Sequence, residues 1–171
     1  CRRRSGGGLV WINPETDIWI DVIVPVGSPQ WSDYVGRAFH WLGEAWAETL
    51  GEFVDPSTIH IARTSGRSPA GKIWCFADLG HGEISIAGRK IVGLSQRRTR
   101  TWARLQGLVL GSWPGAALTD YVDMDYAASL VPDADQSTLD PGALAAGLPR
   151  DVVAPNHNEV IDRFLDLLST R

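Results

Sequence analysis

Across 171 residues the chain carries only two cysteines, Cys1 and Cys75. Two thiols can supply neither a disulfide framework nor a cysteine-based metal site, so no metal is expected and a reducing cytoplasm is the natural home. Long hydrophobic runs are also missing. No apolar stretch approaches the roughly 20 residues that cross a bilayer, and the arginine-rich start leads into glycines where a signal peptide would have its apolar core. The expectation is a soluble, unexported protein with no membrane partner. Positive charge is not in excess: 16 basic residues face 20 acidic ones, for a net charge of −4. That balance argues against a nucleic-acid partner held on a basic face. Internal repeats, heptads and low-complexity tracts are absent, and so is an initiator methionine, so the chain reads as one that starts partway through a larger domain.

What remains suits one globular domain over residues 1–171, with 44% hydrophobic and 21% charged residues. Arginines cluster at Arg2, Arg3 and Arg4 and again at Arg97, Arg98, Arg100 and Arg104. The last third is acidic through Asp120, Asp123, Asp125, Asp133, Asp135 and Asp140. Two separated basic clusters fit a small anionic ligand better than a long polyanion.

Leu9 to Ile12 reads as a strand that exits through the turn signal Asn13-Pro14-Glu15. From Asp17 to Val26 apolar residues alternate on both faces, which predicts a strand inside a covered sheet with Asp21 as the exception. Between Ser32 and Phe53, the stripe Val35, Phe39, Leu42, Trp46 and Leu50 predicts the main helix, with His40 and Trp41 as packing residues. Strand-like runs follow at 58–62, 73–77, 83–87, 90–95 and 102–110, with Gly88 as a tight connection and 64–71 as a mobile polar loop. A last stripe, Val160, Phe164, Leu165 and Leu168, predicts a helix that Asn156 or Asn158 caps. Strands interleaved with helices give an α+β or α/β fold.

Two stretches rise above this background. In Arg2-Arg3-Arg4-Ser5-Gly6-Gly7-Gly8, glycines let backbone N–H groups close on a phosphate while arginines supply bidentate donors; the same composition also makes a flexible joint. In Gly88-Arg89-Lys90-Ile91-Val92-Gly93-Leu94-Ser95-Gln96-Arg97-Arg98, a lysine just after a turn can aim its ammonium at a carboxylate or acyl-phosphate oxygen. Taken alone, Lys90 reads as a solvated edge-strand lysine that adds little to the core.

Together the two stretches resemble the signature pair of the lipoate-protein ligase A family, within the wider biotin and lipoate ligase class. The likeness spans about residues 2–110. It implies a mixed, mostly antiparallel sheet flanked by helices, and ATP with Mg2+ and lipoate or octanoate as substrates. It further implies that Arg3, Ser5, Gly7, Gly8, Leu9, Val10 and Trp11 surround the nucleotide of an acyl-adenylate and that Lys90 meets the reacting carbonyl. The partners implied are lipoyl carrier domains, those of 2-oxoacid dehydrogenase acyltransferase subunits or the glycine cleavage H protein.

Trp74-Cys75-Phe76 lies so that Cys75 precedes Lys90 by fifteen positions, which looks like the Cys-Phe element of the ligase-like octanoyltransferases. That likeness implies an octanoyl thioester donor, such as an acyl carrier protein, and Cys75 as the nucleophile. Flanked by two aromatics, Cys75 also reads as a small buried apolar residue. Some positions depart from the pattern: Ile12-Asn13 and Glu15-Thr16-Asp17-Ile18 stand where the ligases have His-Asp and Gly-Asn-x-Asn, and Gln106-Gly107 where they have His-Gly. The alternatives are a biotin-protein ligase-like enzyme and a non-catalytic module that binds an acyl-adenylate or a carrier.

Overall fold

The computed structural model describes residues 8–144 and 157–171. Its strands are β1 (Ile18–Pro25), β2 (Ile59–Ile61), β3 (Ile84–Ile86), β4 (Arg89–Arg98) and β5 (Trp102–Val109). Its helices are α1 (His40–Leu50), α2 (Pro69–Ile73), α3 (Met124–Ser129) and α4 (His157–Ser169). The strands form one sheet in the order β1-β5-β4-β3-β2, every neighbouring pair antiparallel. A single parallel bridge, Leu9 to Trp74, lies outside it. The architecture is α+β.

One face of the sheet carries the main core. Ile18 and Val24 of β1, Leu105 and Val109 of β5, Val92 of β4 and Ile84 of β3 pack beneath Leu42, Trp46 and Leu50 of α1 and Val160 and Phe164 of α4. Trp46 and Phe164 stack with ring centroids 3.8 Å apart. Trp46 presses so closely on β5 that a Cβ on Gly107 would stand 2.9 Å from its indole nitrogen. The opposite face is covered at one end by Phe76, which packs with Leu108 and Leu110. Beyond it, Trp74 anchors a further cluster by donating its indole N–H to the Leu139 carbonyl at 2.7 Å.

Several expectations change. The helix predicted from Ser32 begins only at His40, and Val35 is 53% exposed. Side chains from the far end of β4 take three carbonyls of this segment: Arg98 donates to Ser32 and Asp33, and Gln96 to Val35. The Tyr34 carbonyl accepts from Arg37 and Ala38, and the segment stays in turns. The run 73–77 is not a strand. Ser68 caps α2 by accepting from the Gly71 N–H, with Pro69 in the first turn, and the chain then turns through Trp74 to Ala77. The strand expected at Leu9 to Ile12 shrinks to its one bridge. In β1, Ile18 and Val24 face the helices, while Trp19 and Ile23 stand on the opposite face and are exposed instead of covered. In α4 the buried row is Val160, Phe164 and Leu167, while Leu165 is 50% exposed; of the two expected caps, Asn158 lies inside the helix and Asn156 lies outside the described residues.

The two neighbours on α4 should therefore behave differently. Phe164→Ala, which empties the stack against Trp46, is expected to cost about 3–5 kcal/mol, whereas Leu165→Ala should stay within about 0.5 kcal/mol. Urea midpoints of the two variants check this.

Candidate active site

The site begins in the hairpin of β3 and β4. Ala87 and Gly88 both have positive φ, 49° and 76°, and form the two-residue turn that pairs Ile86 with Arg89. The register then slips: Ser85 faces Lys90, but Ile84 faces Val92. Ile91 is thus an extra residue, and this bulge resets the alternation of β4. Val92 enters the helix-covered core with Ile84, while Lys90 projects with Ser85 from the opposite face.

There Lys90 is 5% exposed, not a solvated edge residue, because β4 lies between β3 and β5. Its ammonium spends all three donors: on Glu83 Oε2 at 2.6 Å, on the Asp78 carbonyl at 2.6 Å and on the Cys75 carbonyl at 2.9 Å. The Phe76 ring lies 5.0 Å from the nitrogen on another side. Glu83 is equally enclosed, and it also accepts the backbone N–H groups of Gly80 and, at 2.9 Å, Leu94.

Cys75 follows α2 directly. Its N–H donates to the Leu9 carbonyl at 2.9 Å, and the Leu9 N–H donates to the Ile73 carbonyl at 2.6 Å, so the end of the glycine stretch is stitched beside the cysteine. Gly8 has no room for a side chain here, since a Cβ would overlap the Ile73 carbonyl. Half-buried Cys75 borders two cavities. One is an open cleft of about 730 Å³, whose walls include Gly8, Arg67, Ser68, Lys72, Glu83 and Lys90. The other is a recess of about 50 Å³ between Val10, Trp19, Phe76, Ser95, Gln106 and Leu108.

Of the residues expected at the site, Lys90, Cys75 and Gly8 meet at the cleft and Val10 lines the recess. Leu9 takes part through its backbone. Trp11 packs against Tyr121, centroids 5.6 Å apart, and lines neither cavity. Arg3, Ser5 and Gly7 lie outside the described residues. Glu83, Asp78, Arg67 and Lys72 were not expected. The stretch read as a mobile loop is a wall of the cleft, tied down by the Ser68 N–H donating to Asp78 Oδ2 at 2.7 Å. Lys72 and Lys90 are the only lysines of the chain, and both line this cleft. Arg67 adds a third cation to the lining, and Asp78 and Glu83 add two carboxylates.

The positions that depart from the ligase pattern also find partners. Gln106 donates to Asp21 Oδ1 at 3.0 Å, as does the Trp19 indole at 3.1 Å, and Ser95 donates to Gln106 at 3.4 Å. This polar row walls the recess. Asp17 is buried at the start of β1 and accepts from the N–H groups of Asn13 and Gly111; burial outweighs these bonds and pushes its carboxyl above the ordinary carboxylate range.

Burial changes what removal of Lys90 does. Lys90→Ala leaves the Glu83 carboxylate enclosed without its counter-charge, for an expected loss of about 3–5 kcal/mol, and the double variant Lys90→Met/Glu83→Gln should recover most of it. Chemical denaturation of the three proteins checks this; a Lys90→Ala midpoint equal to that of the parent would contradict the buried pair.

No curated protein matches the chain significantly. Residues 1–112 match the model of the Biotin/lipoate A/B protein ligase family, a span that holds both motifs, the whole sheet and the cleft. Enzymes of this family take ATP with lipoate or biotin, or a ready acyl donor, and modify lysines of carrier domains. The matched span is more than half of the chain, which belongs to the biotin/lipoate A/B protein ligase family.

Proposed function

We propose that the chain transfers a lipoyl or octanoyl group to a lysine of a lipoyl carrier domain, by way of a thioester on Cys75. The observation that carries this reading is the position of Cys75: it borders both the cationic cleft and the apolar recess, and its own carbonyl holds the Lys90 ammonium. A donor can lie in the cleft, its phosphate near Arg67 and Lys72, with the acyl chain pointing into the recess. The recess takes only the first methylenes as it stands; Trp19 and Gln106, at its exposed rim, are the side chains that would swing to admit the rest.

In the first step the Cys75 sulfur attacks the acyl carbonyl, the bond to the donor sulfur breaks, and the thiol proton leaves on the released donor thiol. The developing oxyanion falls within reach of the Lys90 ammonium. In the second step the amine of the carrier lysine attacks the Cys75 thioester. An amide forms, and the Cys75 thiol is regenerated with the proton lost by the amine. ATP, when bound, would supply activation of a free acid; Arg67 and Lys72 are the groups in the cleft that would hold its phosphate.

The test is intact and peptide mass spectrometry of the full chain after incubation with octanoyl-loaded acyl carrier protein, with and without ATP. An octanoyl group on the peptide carrying Cys75, released by neutral hydroxylamine, is expected, and Cys75→Ser should stop transfer to a lipoyl domain while leaving the cleft intact. Transfer that needs ATP and leaves Cys75 unmodified would replace the thioester route by adenylate ligation. Biotin used in preference to octanoate or lipoate would move the chain to the biotin branch, and binding of donor or carrier with no transfer at all would make it a non-catalytic module.

A further inference from the structure

Glu83 has no part in the steps above, yet it makes three polar contacts, as many as Lys90. Its two oxygens take the Lys90 ammonium, the Gly80 N–H and the Leu94 N–H. The last two belong to different pieces of backbone: Gly80 to the loop before β3, and Leu94 to the middle of β4. The carboxylate therefore ties Lys90 to both walls of the cleft floor.

The loop itself is gripped from the other side of the molecule. A Cβ on Gly82 would lie 2.7 Å from the Phe39 carbonyl, and a Cβ on Gly43 of α1 would overlap the Gly82 carbonyl. Gly82 holds φ of 76° and donates its N–H to the Ala62 carbonyl at 2.8 Å. With α1 and the end of β2 pressed against it, this loop has little freedom to shift, and Glu83 at its end has a fixed place.

The remaining partners of Lys90, the Cys75 and Asp78 carbonyls, lie on the turn after α2, which also forms the cleft wall. Two dipoles on this wall and one charge from the rigid loop hold the ammonium. The charge is the strongest of the three attachments, since hydrogen bonds between ionised partners exceed those to neutral carbonyls.

From this geometry we propose that Glu83 is the positioning residue for Lys90, the group that sets where the ammonium stands relative to the Cys75 sulfur and the acyl carbonyl. The proposal rests on the reading that Lys90 serves acyl transfer. When an acyl carbonyl enters, Lys90 trades a backbone carbonyl for the substrate oxygen and keeps Glu83, because the exchange then leaves the buried charge pair intact. Glu83 does not touch the substrate and acts only through Lys90.

The experiment is a double-mutant cycle on octanoyl transfer from loaded acyl carrier protein to a lipoyl domain, using Glu83→Gln, Lys90→Met and the two combined. Glu83→Gln is nearly isosteric but turns an amide N–H toward Lys90 or Gly80. Its kcat is expected to fall about 100-fold, the effect of displacing a reacting group by about an ångström, with the KM for the lipoyl domain within about twofold. In the Lys90→Met background the same change should have no further effect on residual turnover. A purely structural Glu83 would lower activity only in proportion to the folded fraction, leaving kcat per folded molecule at the parental value, and that result overturns the proposal. Should Glu83→Gln fail to fold, Glu83→Asp keeps the charge one methylene short of its partners and should still show reduced kcat at unchanged KM; parental kcat in a folded Asp variant overturns the proposal. If Lys90→Met itself transfers at the parental rate, Lys90 has no role in catalysis, and the underlying reading fails with it. If Lys90→Met is slow while Glu83→Gln is normal, the role of Lys90 stands and only that of Glu83 falls.

Discussion

One extra residue in β4 decides on which side of the sheet the chemistry lies. Side chains alternate along a strand, so without the bulge at Ile91 the pairing of Ile84 with Val92 would turn residue 90 into the helix-covered core. A lysine there would meet Leu42, Trp46 and their neighbours with no acceptor at hand. With the bulge it meets Glu83, two carbonyls and an aromatic face. Taking an ammonium and a carboxylate out of water costs several kcal/mol for each ion, and such burial is tolerable only when every donor and acceptor is matched. Here the Lys90 donors and both Glu83 oxygens are matched, and they are matched largely by backbone groups whose positions the sheet and α2 already fix.

Much of this fold is legible in the residues. Period-two alternation marks β1, short strand-like runs between turn signals mark β4 and β5, and the stripe Leu42, Trp46 and Leu50 marks α1. What the pattern misses has local causes. Val35 and Phe39 extend the helical stripe in sequence, but Arg98 and Gln96, some sixty positions away, occupy three carbonyls of that segment. Trp74, Cys75 and Phe76 form an apolar run typical of a strand. The start signal Ser68-Pro69 just upstream instead makes a helical turn that delivers Cys75 to the cleft. In α4 the spacing of Val160 and Phe164 carries on to Leu167, so Leu165, one position past Phe164, turns outward.

The site divides along the same line. Lys90, Cys75 and the end of the glycine stretch can be picked out by motif, since their types and spacing are tied to the chemistry. Glu83 cannot. In sequence it is a charged residue at the mouth of a strand, and its pairing with Lys90 depends on the bulge, the 80–82 loop and the close contact of Gly43 with Gly82, none of which leaves a periodic trace. Arg67 and Lys72 are hidden for a similar reason: a polar loop becomes a cleft wall only because Asp78 fastens it at Ser68.

The polar row along Trp19, Asp21, Gln106 and Ser95 shares no hydrogen bond with the cluster around Lys90 and Glu83. The two are joined instead through residues they share: Phe76 and Leu94 both line the recess, while the Phe76 ring faces the Lys90 ammonium and the Leu94 N–H holds Glu83. Substitutions at Phe76 or Leu94 should therefore couple to substitutions on either side, and whatever enters the recess can be felt at the anchor through those two residues.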